Sequence, residues 1–454
     1  MSEIIRLRKG LDINLKGAPA SDIVSVQNDG LFALVPDNFT GVVPKVVVKE
    51  NDHVLAGQVL FLDKNVPEIK FVSPVSGQVV AINRGARRKV LSVVVKSDGK
   101  QESVKFAAKS VQSLTVQDIL SSILEAGLFA FVRQRPYDII ANPNDAPREI
   151  FVSAFDSNPL APDFETVLKG HELEFQIGLS ALSKIARTNL GISWKQTSQA
   201  LTAAKNVDIY TFRGAHPAGN VGVQINHINP VNKGEVVWTI APQHVIMIGS
   251  LFNNGSVDFS QIISVAGSCI SKPSYAKVIM GAQLGSIVKD SLALTGKEHI
   301  RLINGNVLTG SKANTEDFLN VFANCVTAIP EGDDVNEFMG WIMPRFKMFS
   351  TSRASMGWLK GLFCKKGYDI DARVKGSERH MIMSGEYDRV FPMDIYPEYL
   401  VKAMITGNID KMEAYGIYEV APEDFALCEF VDSSKLELQR IVRESLDKLR
   451  AEMA

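Results

Sequence analysis

The chain has 454 residues, a length that accommodates about three domains. Its 49 Lys and Arg against 50 Asp and Glu leave a net charge of -1, which argues against a general electrostatic grip on nucleic acid or acidic lipid. Hydrophobic residues at 46% and charged residues at 22% exclude wholesale disorder.

Residues 1–17 carry Glu3, Arg6, Arg8 and Lys9 and lack the apolar run of a secretory signal. Between residues 30 and 100, the β-branched runs Val42-Val43, Val46-Val47-Val48 and Val93-Val94-Val95 lie between turn signals and predict short strands. Val48–Leu60 and Ser73–Ile82 resemble the two halves of a barrel-sandwich domain of the biotinyl/lipoyl type. Lys64 in the segment Asp63–Glu68 lacks the flanks of a modified carrier lysine, so a rigid docking barrel is the expectation.

Residues 113–128 predict a helix, with Thr115 and Asp118 near capping-box spacing and a stripe of Val116, Ile119, Leu120, Ile123 and Leu124. Strands are expected at Ile150–Phe155, Val207–Phe212, Val236–Ile240 and Val245–Leu251, with helices over 163–190 and 193–204. That alternation predicts an α/β layer around a largely parallel sheet. The uncharged stretch Val236–Val257 contains Pro242, Gln243, His244 and Asn253. It reads as two buried strands broken at Ala241–His244 rather than a membrane span. A third block has strands at Ile262–Val265, Lys277–Met280 and Arg301–Ile303. Its Ser264–Ser268 and Asn304–Gly310 resemble a β-grasp, soluble-ligand-binding domain.

From Arg345 to Arg379 there are nine Lys/Arg and three Asp/Glu. Trp341, Phe346, Phe349, Trp358, Phe363 and Tyr368 are interleaved, which predicts a docking segment. Residues 396–454 predict helices, one started by Pro422 and one by a Ser434/Glu437 capping box. The expected division is 1–100 for the N-terminal segment and barrel, 101–257 for the α/β domain and 258–335 for the β-grasp domain. Residues 336–395 form the docking segment and 396–454 the helical domain.

Chemistry-bearing motifs are few. Cys269, Cys325, Cys364 and Cys428 lie at least 39 residues apart, so no C-x-x-C unit exists, and the pattern fits a reducing compartment. The sharpest local sequence is Arg213–Gly222. Gly214 and Gly219 have P-loop spacing, but Asn220 and Val221 stand where Lys and Ser/Thr are needed. No G-x-G-x-x-G follows a strand, and no nucleophile motif is present. His216 and His227 are eleven apart without a carboxylate at ligand spacing, so no metal site is expected. The loop reads either as a ligand crevice at a strand end, with His216 bonding a quinone carbonyl or passing a proton, or as a tight turn bearing a surface histidine.

Other segments join these in a common order: Ile5–Asp12, Leu124–Leu128, Arg133–Tyr137, Gly340-Trp341, Tyr387–Ile395 and Phe425–Cys428. Taken together, the chain resembles the A-subunit family of the sodium-translocating NADH:quinone reductase over nearly its whole length. The resemblance implies an α/β multidomain chain with a Rossmann-like domain related to the flavin subunit of complex I. It implies a peripheral subunit on the cytoplasmic face of the bacterial inner membrane, among five others and mainly on the membrane-embedded B subunit, with ubiquinone as substrate. FMN, FAD, riboflavin and iron–sulfur centres are then expected on other subunits. In Glu125–Tyr137, which matches the flavin loop, one glycine remains and Leu128, Phe129 and Phe131 fill the space, so no flavin or NADH site is expected here. Cys428, with Asp432 four residues on, stands alone where relatives carry cysteine clusters. The quinone candidates are His216, Pro217, Gly219, His227 and Trp238, and no catalytic residue is expected on the chain. The rival expectations are a free-standing flavin- or NADH-dependent oxidoreductase and a binding module without respiratory role.

Overall fold

The computed structural model describes residues 4–27, 29–289, 291–292, 299–333, 349–351, 357 and 367–453. Trp341, Arg345, Phe346, Trp358 and Phe363 of the expected docking segment, with Gly340 and Cys364, lie outside the described residues.

Residues 31–97 build two small antiparallel sheets. One runs Leu31–Leu34, Val90–Ser97, Gly77–Arg84, His53–Val54; the other runs Pro44–Val46, Val59–Asp63, Lys70–Val72. Phe32, Leu60, Val79 and Val93 are buried between them. Of the expected valine runs, 93–95 is strand, Val46 ends one, and Val42-Val43 precedes it. Lys64 is exposed in the hairpin that joins Val59–Asp63 to Lys70–Val72.

The α/β sheet has seven strands in the order Ile4–Arg6, Asp208–Arg213, Thr188–Ser193, Ile150–Ser153, Val237–Thr239, Arg133–Arg135, Ile139–Ile140. The five strands from Ile4–Arg6 to Val237–Thr239 are mutually parallel, and Arg133–Arg135 joins antiparallel. The central parallel strands are near-continuously buried, as helices on a sheet's faces require. The helix Val116–Glu125 starts on a Thr115/Asp118 capping box, with Asp118 N–H donating to Thr115 Oγ1 at 3.2 Å.

Three expectations fail in this region. Residues 193–204 hold only the four-residue helix Gln199–Thr202, and Ser193 ends a strand. Val245–Leu251 is not a strand: it lies within the helix Pro242–Asn254, whose first turn carries Pro242. A short apolar run is ambiguous in period when it is buried on every side, and here His244 through Phe252 are buried apart from Ile246. Residues 163–190 do not form one helix. They form Phe164–Leu168 and Glu172–Ile185, and then the buried strand Thr188–Ser193. Pairing on both edges overrides the weak local signal of that strand.

The helices Glu172–Ile185 and Pro242–Asn254 approach at backbone distance through glycines. A Cβ on Gly249 would stand 1.7 Å from the Glu174 carbonyl oxygen, and one on Gly178 would stand 2.1 Å from that of Val245.

The third sheet is six-stranded and mixed: Ser311–Ala313, Ile300–Asn304, Cys325–Pro330, Ser260–Ala266, Ser274–Ile279, Ile23–Ser25. The N-terminal 25 residues, expected with the barrel, thus supply an edge strand to each of the two larger sheets. A separate core is formed by the helices Glu386–Val390, Pro397–Thr406, Ile409–Ala414, Ala426–Val431 and Leu438–Met453. The first of these lies within the segment expected to be irregular. Pro422 opens a 3-10 turn, Pro422–Phe425, that runs into Ala426–Val431. The Ser434/Glu437 capping box does not form. Ser434 and Leu436 donate their N–H groups to Asp432, and Gln439 N–H donates to Glu429 at 2.8 Å; Glu437 pairs outward with Arg440.

Gly249→Ala is expected to lower stability by about 3 kcal/mol, because a methyl meets backbone that cannot yield. Urea unfolding followed by circular dichroism checks this; a loss below about 0.5 kcal/mol would contradict the close helix contact.

Candidate functional site

The chain leaves the strand Ile150–Ser153 and builds outward through Thr188–Ser193 to Asp208–Arg213. It then returns to the other side of Ile150–Ser153 as Val237–Thr239. Strand order therefore reverses between these two parallel neighbours, and the loops leaving their carboxyl ends diverge. A cavity of about 510 Å³ opens there.

Its floor comes from Ser153, Phe155, Asp156 and Asn158 after one strand, and from Thr239 through His244 after the other. Two helices begin at its edge, Val221–Ile228 and Pro242–Asn254, neither with a side-chain cap. Their first N–H groups lie beside the cavity. The third sheet contributes Asn304–Asn306 and Asn320–Asn324, and the C-terminal region contributes Pro422, Glu423, Gln439 and Arg443.

The aromatic wall is tightly arranged. Phe131 stacks on His244 with ring centroids 4.3 Å apart and 14° between planes. Phe322 meets both rings edge-on at 6.1 and 5.7 Å, and the Arg133 guanidinium lies 5.5 Å from the Phe322 ring centre. Burial depresses the His244 imidazole to about 4, against a hydrogen bond to the Val321 carbonyl that favours the charged form.

The cations at the cavity are paired to carboxylates. Arg133 pairs with Asp138 at 2.7 Å. Behind it, Arg135 is 1% exposed and reaches Asp424 and Glu423 at 3.0 Å each and Asp138 at 3.8 Å. Desolvation raises the Glu423 carboxyl to about 7 against the pull of Arg135, with Asp424 pushing it further up.

Of the quinone candidates, only Gly219 lines this cavity. His216 is not a surface histidine: it is buried under the N-terminal segment, its N–H donating to Asp12 Oδ1 at 2.9 Å and Leu11 N–H donating to its carbonyl at 2.8 Å. Its Nδ1 lies 3.0 Å from Ser157 Oγ, which accepts the Gly219 N–H at 2.8 Å. Burial holds the His216 ring down to about 4, with Asp156 and Asp12 opposing. Pro217 is buried, and its carbonyl accepts the Asn220 N–H at 2.9 Å. His216 and Pro217 thus shape the loop that carries Gly219. His227 is exposed and bonds the carbonyl of Val223 one turn back. Trp238 is buried within the sheet, edge-on to Phe129 at 5.3 Å. Neither His227 nor Trp238 reaches the cavity.

Phe131, His244, Gln261, Phe322 and Glu423 do not stand out in the sequence as site residues. The legible signal is Pro242 directly after a strand, a helix start and hence a crevice wall. Leu128 and Phe129 are buried in the core, while Phe131 reaches the cavity wall. Cys428 is fully buried, and burial holds its thiol well above the ordinary range. Among the described residues, no group of three or more His, Cys, Asp or Glu is placed to hold a metal ion. None of their helices is long and apolar enough to cross a membrane.

Three domain families match the chain. They are the NqrA N-terminal barrel-sandwich hybrid domain over 5–98, the NqrA second alpha/beta domain over 114–257 and the NQRA C-terminal domain over 262–315. The A subunit of the Na(+)-translocating NADH-quinone reductase of Haemophilus influenzae is 36% identical, covering 99% of this chain and 100% of its own. The chain belongs to that NqrA family. The Pasteurella multocida and Vibrio parahaemolyticus members are each 34% identical, again over 99% of this chain and all of theirs. NqrA membership thus accounts for the barrel-sandwich and α/β domains in one chain.

The buried groups generate two expected outcomes. Arg135→Met strands Asp424 and Glu423 without a counter-charge and is expected to cost about 3–5 kcal/mol in urea unfolding. For His244, the folded ring takes a proton only near pH 4, whereas the unfolded ring takes one below about 6.5. Its contribution is therefore full above pH 6.5 and is lost as pH falls toward 4. The stability difference between the parent chain and His244→Phe should shift against the parent between about pH 6.5 and 5, by at most about 1.4 kcal/mol per pH unit. A difference independent of pH would contradict the buried neutral ring.

Proposed function

We propose that this chain works as the A subunit of a Na(+)-translocating NADH-quinone reductase, and that the cavity at the strand reversal receives the head group of its quinone. Identity of 36% along the full length of the Haemophilus influenzae A subunit carries the first part. The cavity carries the second. Ring-lined, with its cations paired to carboxylates and a few convergent polar atoms, it suits a flat neutral ligand. Gly219 stays a candidate for close approach of the ring. Phe131, His244 and Phe322 supply the ring faces, in place of the candidate Trp238, and His216 and Pro217 hold the loop.

The same reading takes the parallel sheet as Rossmann-like and akin to the complex I flavin subunit, the six-stranded sheet as β-grasp and residues 396–454 as a helical domain. It keeps the proposed boundaries at 100, 257, 335 and 395. It seats the chain on the cytoplasmic face of the inner membrane, mainly against the membrane-embedded B subunit, through the basic, aromatic segment 336–395. FMN, FAD, riboflavin and iron–sulfur centres belong to its partners, so electrons reach the quinone from outside this chain. Here its residues bind and orient the ring and exclude water.

The test is photo-crosslinking of the intact complex with a short-chain azido-quinone. Label is expected on peptides containing Phe131, Ala241–His244 or Asn320–Phe322, and competition by unlabelled quinone should remove it. Label confined to other subunits would overturn the assignment of the cavity.

A further inference from the structure

At the carboxyl edge of the seven-stranded sheet, outside the cavity lining, three strand ends lie side by side. Arg6 stands opposite Arg213 in the parallel ladder. On the other side, Trp194 N–H donates to the Phe212 carbonyl at 3.0 Å and continues the ladder of Thr188–Ser193 by one residue, beside Arg213. Residues opposite each other on parallel strands share a face, with the strands about 4.8 Å apart. The Arg213 guanidinium lies over the Trp194 ring, 4.4 Å from its centre. Arg6, Arg213 and Trp194 therefore form one row. Ile4, two residues before Arg6 on the same face, is 44% exposed, as is Trp194.

Like charges directly opposite each other destabilise a sheet. Neither arginine has an ion-pair partner among the described residues, and neither do the exposed Arg8, Lys9 and Lys195 on the same segments. Asp12, the next acid along the N-terminal segment, is turned to the His216 N–H at 2.9 Å. The row thus calls for an anion from outside the chain, with an indole and an aliphatic side chain beside it.

That combination matches a bilayer interface, where arginine and lysine meet lipid phosphates and an indole sits at head-group depth. The net charge of -1 argues against a general grip on such a surface, not against one confined to a sheet edge. The five parallel strands point the same way, so this row and the cavity at the strand reversal lie along one edge of the sheet. We propose that the row of Arg6, Arg213 and Trp194 docks this edge on the head groups of an anionic membrane. The choice of lipid over an acidic protein surface rests on the reading of the cavity as a quinone site, whose ligand is dissolved in the bilayer. The contact adds to the proposed seat on the B subunit.

The test is co-sedimentation of the full chain with vesicles of phosphatidylglycerol and phosphatidylethanolamine, and with vesicles of phosphatidylcholine alone. Binding to the anionic vesicles is expected to be at least ten-fold tighter and to weaken as salt rises. Arg6→Gln with Arg213→Gln should lower it at least ten-fold, and Trp194→Ala at least three-fold. Lys96→Gln with Lys100→Gln removes the same charge from exposed barrel positions and should change it less than two-fold. Equal binding to both vesicle types overturns the proposal, as does an equal loss in the two charge variants. Binding to neither also overturns it; if Arg6→Gln with Arg213→Gln then releases the chain from the intact complex, the row belongs to an acidic protein surface. Each of these failures leaves the cavity standing, because photo-crosslinking there does not depend on this row.

Discussion

The buried guanidinium of Arg135 is the constraint around which the site is arranged. It stands on the strand Arg133–Arg135, inside a sheet, and its nearest partners are Asp424 and Glu423, almost three hundred residues on. A charge taken so far from water is tolerable only when opposite charges and hydrogen bonds surround it, so the C-terminal helices must dock where they do. Asp424 also receives the Ala421 N–H at 2.8 Å and sits where a side chain on Gly222 would stand. One ion cluster thereby fixes the sheet, the start of the helix Val221–Ile228 and the C-terminal core. Glu423, held by the same arginine, becomes part of the cavity wall.

The second determinant is the depth of helix packing behind the cavity. Pro242 starts a helix immediately after a central strand, and Gly249 lets that helix settle against the backbone of Glu172–Ile185. This sets the height of His244, and with it the stack on Phe131. The His244 ring is thus part of the core on one side and part of the cavity on the other. Its neutrality follows from the first fact.

Most of the element order was legible because it is written locally. β-branched runs marked the small barrel, Thr115 and Asp118 capped a helix, and Pro422 opened another. The strand Thr188–Ser193 was hidden because its stability comes from two neighbours distant in sequence rather than from its own pattern. Val245–Leu251 was misread because full burial erases the polar face that separates helix from strand. The cap of the last helix escaped because Asp432 and Glu429 reach it from a preceding helix and turn, outside any short motif. The site was only partly legible for the same reason. His216 and Gly219 stand out as a loop motif, but Phe131, His244, Phe322 and Glu423 come from four separate stretches. They meet only where the third sheet and the C-terminal region pack against the strand reversal.

The cavity wall holds more carboxyl groups than cations, and this bears on the proposed ligand. Two uncapped helix starts in a Gly-bearing loop region would suit a phosphate if the nearby cations were free. They are not. Arg133 is paired to Asp138, Arg443 gives two of its groups to the Asp138 carbonyl and to Asp447, and Asp37, Asp156 and Glu423 add carboxyl groups to the same wall. An entering dianion would meet these acids at short range in a poorly solvated space, where like charges cost most. A neutral ring meets no such opposition, and its faces find Phe131 and Phe322. The excess of acids in this one cavity, with its cations already paired, favours an uncharged aromatic ligand over a nucleotide.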